Sequence, residues 1–380
     1  MKRIIIILII MLTFYSNLYA LEYKLVKKWG GYGSEEEKFD GIVDIGIDSY
    51  NCIYVVEENS CRIQKFTNSG KFIKKWGNKG FEDGHFCFPS SITIDDYGNV
   101  YIVDTYSPEG WGIPINSLPR IQKFTTEGKF LSKFYAIKNK ASHNKTRNED
   151  NKYNYKYLNY VWHYISPSCL DIDNYGNLYI ISQIIWTPFS PDLFRVANNG
   201  EYIDNLCDDY LYNLFWDGSK GPYHVHSIVV DRKKNIYYVH GRSSSNKFSE
   251  KFTFIKSFDL KNNLVKEWST QDSINDIAID KEGNIYAVSD GEKFLFRKYD
   301  NSGRLLVQYS CKDFNIEPLK QVESIAVDKN GNIFIADYGD HYIYKFALAK
   351  NTSIEDTSSL LPEKLAYIYP NPAKEKANNA

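Results

Sequence analysis

An all-β repeat fold is predicted by three features of the sequence. One motif recurs in six copies: an apolar strand that ends in Asp, a short turn that usually reads x-x-Gly-Asn, and an apolar-aromatic strand. In its clearest copies the motif is followed by a strand such as Arg62-Ile63-Gln64-Lys65-Phe66 or Arg120-Ile121-Gln122-Lys123-Phe124. A turn such as Asn68-Ser69-Gly70 then leads to a fourth strand, Lys71-Phe72-Ile73-Lys74-Lys75-Trp76. Apolar and polar residues alternate along these segments, as in a sheet with two different faces. Six repeats of four antiparallel strands predict a six-bladed β-propeller.

The chain opens on what reads as an export signal. Met1-Lys2-Arg3 gives a positive start, Ile4 to Phe14 is a short apolar run, and Leu18-Tyr19-Ala20 is a cleavage site ending in a small residue. The run is shorter than the roughly 20 residues of a spanning helix. The reading is therefore a signal over 1–20, with an uncleaved anchor as its alternative. No later stretch is long and apolar enough to span a membrane. The mature protein is expected to be extracellular, periplasmic or at the cell surface, and monomeric.

Next comes Tyr23-Lys24-Leu25-Val26-Lys27-Lys28-Trp29-Gly30, which matches Gly70-Lys71-Phe72-Ile73-Lys74-Lys75-Trp76-Gly77. The last repeat ends at Tyr342-Ile343-Tyr344-Lys345-Phe346 with no such strand after it. The N-terminal segment is expected to complete the last blade, which removes an exposed sheet edge. That places the propeller over 21–350 and agrees with cleavage near Ala20.

The six inner hairpins run Ile45–Asp48 to Ile53-Tyr54, Ile92–Asp95 to Val100-Tyr101, Leu170–Asp173 to Leu178-Tyr179, Ile228–Asp231 to Ile236-Tyr237, Ile277–Asp280 to Ile285-Tyr286, and Ile325–Asp328 to Ile333-Phe334. Gly98, Gly176, Gly283 and Gly331 supply the positive φ of the turn, and Asn51 and Lys234 stand in their place in two copies. The turn Asp can accept hydrogen bonds from turn amides, so these aspartates have a structural task rather than a metal-binding one. These residues resemble the NHL repeat, whose usual form is Pro-x-Gly-Ile-Ala-Val-Asp, x-x-Gly-Asn-Val-Tyr-Val-x-Asp, then Arg-Ile-x-x-Phe. The resemblance runs from about Leu25 to Phe346. It is strong in the first two and last two repeats and weaker in the third and fourth.

In a four-stranded blade the first-to-second and third-to-fourth turns open on one face, called the turn face below. The second-to-third and blade-to-blade connections open on the other, the loop face. The insertions Thr105 to Pro119, Tyr135 to Ile165, Gln183 to Asp192, Asn205 to His224 and Gly241 to Thr253 all fall on the loop face. They are aromatic and polar, and Trp111, Trp162, Trp186 and Trp216 are the candidate binding rings. Long loops on one face of a rigid scaffold usually carry binding. A binding or scaffold propeller for a protein or a glycan is the first reading, and rings packing the loops against each other is the alternative.

The resemblance further implies that the residue five before the turn Asp lines the channel mouth: Val43, Ser90, Ser168, His226, Asn275 and Glu323. Glu57, Asp104, Ser182, His240, Ser289 and Asp337, nine after it, end at the same face. His226, Asn275 and Glu323 come from successive repeats and could converge on a metal or a substrate. Propeller-type amidating lyases hold zinc with histidines at several such positions, of which His226 matches one. Lactonase-like calcium propellers use Glu and Asn there, and Glu323 and Asn275 are similar. A metal-dependent lyase or lactonase, with calcium or zinc, is thus the second reading, beside a plain polar mouth lining. His224-Val225-His226 looks like a metal pair.

Net charge is -1 over 380 residues, which leaves no basic excess for a phosphate backbone and argues against a nucleic-acid partner. Cys52, Cys61, Cys87, Cys169, Cys207 and Cys311 show no C-x-x-C pair, and buried free thiols are expected. After a polar linker over 351–366, Tyr367-Ile368-Tyr369-Pro370-Asn371-Pro372 resembles the opening of C-terminal sorting or immunoglobulin-like segments, so 367–380 reads as the truncated start of one.

Overall fold

The computed structural model describes residues 22–105, 119–135, 165–184, 192–205, 216–217, 221–233, 236–243, 253–261, 263–270, 272–290 and 293–349. The export signal, the linker, the C-terminal tail and Trp111, Trp162 and Trp186 lie outside these residues. Lys24–Phe346 forms one compact unit. Of the second unit, Met1–Tyr23 with Ala347–Ala380, only 22–23 and 347–349 are described, and there the Ala349 N–H donates to the Glu22 carbonyl at 2.7 Å.

The chain opens with β1 (Tyr23–Gly30). One sheet follows from β2 (Ile42–Ile47), β3 (Ile53–Glu57), β4 (Arg62–Phe66) and β5 (Phe72–Trp76), and the next from β6 (Phe88–Ile94), β7 (Asn99–Thr105), β8 (Arg120–Thr125) and β9 (Phe130–Tyr135). The third comprises β10 (Ile165–Ile172), β11 (Leu178–Ile184), β12 (Asp192–Val196) and β13 (Tyr202–Asn205). Then β14 (Trp216–Asp217) joins β15 (Gly221–Asp231), β16 (Ile236–Ser243), β17 (Thr253–Asp259) and β18 (Leu264–Thr270) in a five-stranded sheet. A further sheet holds β19 (Asp276–Ile279), β20 (Ile285–Val288), β21 (Phe296–Tyr299) and β22 (Leu305–Tyr309). In the last, β23 (Val322–Val327), β24 (Ile333–Asp337) and β25 (Tyr342–Leu348) are completed by β1, in the order β1-β25-β24-β23. Consecutive strands within the sheets pair antiparallel. These are the blades of a β-propeller. Their innermost strands touch in succession, β2 to β6, β10, β15, β19 and β23, and β23 returns to β2.

The core lies between blades. Tyr54, Val56 and Ile63 of one blade pack with Ile92, Val100 and Phe124 of the next. The second strand of a blade is buried on both faces, as in β3, whereas the outermost strand alternates, as in β5. That is why second strands read as unbroken apolar runs and fourth strands as mixed ones.

Two local devices fix the repeat. Each turn Asp works as a clamp: Asp95 accepts the N–H groups of Tyr97 (3.0 Å) and Asn99 (2.7 Å), and Asp173 those of Tyr175 (2.9 Å) and Asn177 (2.8 Å). The tyrosine of the next strand also reaches it, since the Tyr54 hydroxyl donates to Asp48 at 2.8 Å and that of Tyr286 to Asp280 at 3.1 Å. Where Phe334 lacks a hydroxyl, the Asn68 amide takes that place on Asp328 at 2.8 Å. Asn51 adopts φ 62, the left-handed turn that Gly98 adopts at 80.

The second device joins blades. Trp76 of β5 lies against Gly128 of the next blade, where an added Cβ would meet the indole at 2.6 Å. Trp29 of β1 makes the same contact with Gly70, at 2.9 Å, and Trp268 with Gly303, at 2.9 Å. The strand from the N-terminal end thus docks its tryptophan as the covalently continuous fourth strands do.

Candidate binding channel and loop face

Each innermost strand turns a free edge to the propeller axis, and backbone N–H groups on that edge need partners. Three aspartates supply them. Asp44 of β2 accepts from the Ile45 N–H (2.8 Å) and the Ser324 hydroxyl of β23 (2.7 Å) on Oδ1. Its Oδ2 accepts from the Ser91 hydroxyl (2.8 Å) and the Ile92 N–H (2.9 Å) of β6. Asp171 of β10 accepts from the Thr93 hydroxyl of β6 (2.9 Å) and the Val230 N–H of β15 (2.7 Å). Asp276 of β19 accepts from the Ser227 hydroxyl of β15 (2.6 Å) and the Ile325 N–H of β23 (3.0 Å). Every second inner strand therefore stitches both its neighbours, and the chain of bonds closes on itself.

Burial pushes the Asp44 carboxyl up to about 7, and the charge of Asp276 adds to this, against four hydrogen-bond donors that favour ionisation. Asp171 and Asp276 are also raised, by burial first, with the Arg232 guanidinium pulling Asp171 back down. All three line a cavity of about 690 Å³ that runs from mid-strand to the turn face, where Ser49, Asp96 and Asn174 border it. Its volume lies in the range of small-ligand pockets.

Among the described side chains, none of the mouth residues expected from the resemblance lines this cavity. The ladders slip between Ile42 and Asp44, Pro89 and Ser91, Pro167 and Cys169, Val225 and Ser227, and Val322 and Ser324. Val43, Ser90, Ser168, His226 and Glu323 are thus the extra residues of β-bulges, and a bulge re-aims its side chain. His226 is exposed. The Asn275 amide donates to Asp290 at 2.7 Å and to the Val322 carbonyl at 2.8 Å, and Glu323 accepts from Gln321 at 2.6 Å. The Ser90 Oγ is buried without a hydrogen-bond partner among the described residues. His240 pairs through its backbone with Ser227 and Ile255, and its side chain, with that of Ser168, lies outside the described residues. Among the described residues no group of three or more His, Cys, Asp or Glu side chains is placed to hold a metal ion.

Asp104 and Asp337 do structural work on the loop face. Asp104 accepts the Cys87 and Phe88 N–H groups at 2.8 and 3.0 Å and pairs with Arg120 Nε at 2.9 Å. Arg120 goes on to the His85 carbonyl at 2.8 Å and to that of Phe81. Glu57 and Arg62 repeat this pair at 2.8 Å, with Arg62 reaching the Lys38 carbonyl at 2.9 Å. Asp337 accepts the Gln321 and Gly339 N–H groups, both at 3.0 Å. The Arg of each clear Arg-Ile-x-x-Phe strand is therefore the pin that holds the blade-to-blade connection down.

The long connections over 106–118, 136–164, 185–191, 206–215 and 244–252 all leave and rejoin strand ends on the loop face. One expected loop is partly strand: Trp216 lies on β14, which pairs with the Gly221-Pro222 start of β15 and widens that blade. Its side chain lies outside the described residues. Cys52, Cys61, Cys87, Cys169 and Cys311 are free thiols, and Cys207 lies outside the described residues.

No protein-family model and no curated protein matches the sequence. Solved structures similar to the chain include a propeller domain, a lyase and proteins of unknown function. A protein of unknown function from Bacteroides thetaiotaomicron aligns at TM-score 0.52 and 12% identity, over 86% of this chain and 76% of its own. The WD40 propeller domain of Doa1 aligns at 0.49 and 12% identity, over 86% of this chain and 98% of that one. A streptogramin B lyase aligns at 0.42 and 14% identity, over 80% and 78%. Likeness at such identities extends to the fold alone.

Proposed function

We propose that this chain is an exported NHL-type propeller of six blades, the five-stranded sheet counting as one of them, and that it is a binding or scaffold module for a protein or glycan. The observation that carries this reading is the one-sidedness of the connections. The turns at 95–98 and 126–128 are minimal, while every long connection starts and ends on the loop face. Buried aspartate and arginine pins hold the neighbouring strand ends rigidly, so the loops spring from a fixed platform. In this reading Trp111, Trp162, Trp186 and Trp216 supply contact area.

The test replaces 136–164 by a short Gly-Ser link in the full chain and compares glycan-array and pull-down profiles with those of the parent. Loss of the parent's ligands with an unchanged unfolding midpoint is the expected result. Ligands that survive removal of this segment and of 106–118 would overturn the loop-face reading. Export is tested separately by sequencing the N-terminus of the secreted protein, with cleavage after Ala20 expected.

A further inference from the structure

The turn face carries an uneven ring of side chains one residue on from those that border the cavity, Ser49, Asp96, Asn174, Arg232, Lys281 and Lys329. In each inner hairpin the residue two after the turn Asp gives its backbone N–H to that Asp. Tyr50 does so at 2.8 Å, Tyr97 at 3.0 Å, Tyr175 at 2.9 Å, Lys233 at 3.0 Å, Glu282 at 3.0 Å and Asn330 at 2.8 Å. The turn itself uses the backbone at this position and does not dictate the side chain. Even so, three consecutive blades place tyrosine there, at 69%, 84% and 70% exposure. These large rings, exposed on neighbouring turns, form an aromatic arc.

The opposite arc is cationic. Arg232, Lys233, Lys281 and Lys329 line the cavity mouth. The Arg232 guanidinium extends across to the Ile94 carbonyl at 2.8 Å, the Ile172 carbonyl at 3.1 Å and Asp96 at 2.9 Å, which fixes one positive group over the opening. Lys329 donates to the Ser49 carbonyl at 2.8 Å and Lys233 to the Lys281 carbonyl at 2.5 Å. These contacts hold both ammonium groups at the rim, and an ammonium has three donors to give. Two acids share the rim, Asp96 on Arg232 and Glu282 at 3.7 Å from Lys281.

We propose that this rim is a second binding site, on the face opposite the long loops, for an oligosaccharide that carries carboxylate groups. Sugar rings lie flat against the tyrosine arc through their C–H faces. The carboxylate takes charge-assisted hydrogen bonds from Lys281 and Lys329 across the mouth of the 690 Å³ cavity. Asp96 and Glu282 accept hydrogen bonds from sugar hydroxyls. The same two acids repel a strand bearing one phosphate per residue, so a nucleic acid is the poorer fit although its bases also stack on aromatic rings. This site stands on different residues from the loop-face reading and does not depend on it.

The experiment is calorimetric titration of the full chain with oligogalacturonate and with the neutral oligosaccharide of the same length and linkage. Binding of the acidic probe alone is expected, weakening as salt rises. Lys281→Glu and Tyr97→Ala should each weaken it by at least about tenfold, with unfolding midpoints unchanged because both positions are exposed. Equal binding of both probes, binding of neither, or binding indifferent to both substitutions would overturn the proposal. So would tighter binding of an acidic peptide or of oligoadenylate that the same substitutions abolish.

Discussion

The two faces of this propeller divide their labour in opposite ways. On the turn face the backbone is uniform: Asp48, Asp95, Asp173 and Asp280 clamp their turns alike, and the outward side chains vary, from tyrosine to glutamate. On the loop face two blades share one side-chain pin, Glu57–Arg62 repeated by Asp104–Arg120, and the connections vary in length. Substitution on the loop-face pins should therefore cost stability, and substitution on the turn-face rim should cost only binding.

The largest expected effect is at Asp104. Its pair with Arg120 is 2% and 3% exposed, and truncating one partner leaves the other charge buried. Asp104→Ala should lower stability by about 3–5 kcal/mol in denaturant unfolding, and a loss below about 1 kcal/mol would mean the pin is not holding the blade connection. Trp29→Ala comes next. It empties the contact on Gly70 that closes the ring and should cost about 3 kcal/mol. Trp76→Ala provides the comparison inside the continuous chain, and a markedly smaller loss for Trp29 would show that closure is weaker than an internal joint.

A smaller effect separates the channel from both faces. The Asp44 carboxyl titrates near 7 in the folded protein and near 3.8 in the unfolded chain. Between these values the folded state keeps a proton that the unfolded state has released. Its contribution is complete below 3.8 and is lost as pH rises through 7, at roughly 1.4 kcal/mol per unit. Stability should fall between about pH 4 and 7 and level off above that, and Asp44→Asn should flatten that slope even though it is less stable overall. Parallel slopes for the two proteins would show that Asp44 is ionised throughout. The smallest effect belongs to the rim: Tyr97→Ala should change stability by less than about 0.5 kcal/mol. A large loss there would break the contrast between the faces.

Much of the architecture is legible in the residues. The Asp, the left-handed turn residue and the buried tyrosine recur in register, and the match of Lys27-Lys28-Trp29-Gly30 to Lys74-Lys75-Trp76-Gly77 foretells β1 beside β25. The channel is less legible. Asp44 and Asp276 stand four before the turn Asp but Asp171 stands two before it, so aligned repeats show no column of acids. They act together only because alternate strands meet around one axis. Five of the expected mouth positions fall on bulges, which depend on hydrogen-bond register rather than on residue type. Asp104 and Asp337 carry a strong signal of importance, but that signal comes from structural pinning of loops. The tyrosines of the rim stand at a variable position of the turn that the repeat does not mark, and their exposure emerges only once the blades stand side by side.

The strand that completes the last blade also sets a timetable. β1 is made before all its neighbours, yet its partner β25 leaves the ribosome only after residue 342 has been added. Until then β1 is a strand without a sheet and the last blade a sheet with an open edge. The slowest step of folding is therefore expected to be this final pairing, across the longest loop the chain can close, rather than the formation of any single blade. A nascent chain stalled before that residue should hold protected blades and an exchangeable β1, in the manner of a zip fastened everywhere but at its ends.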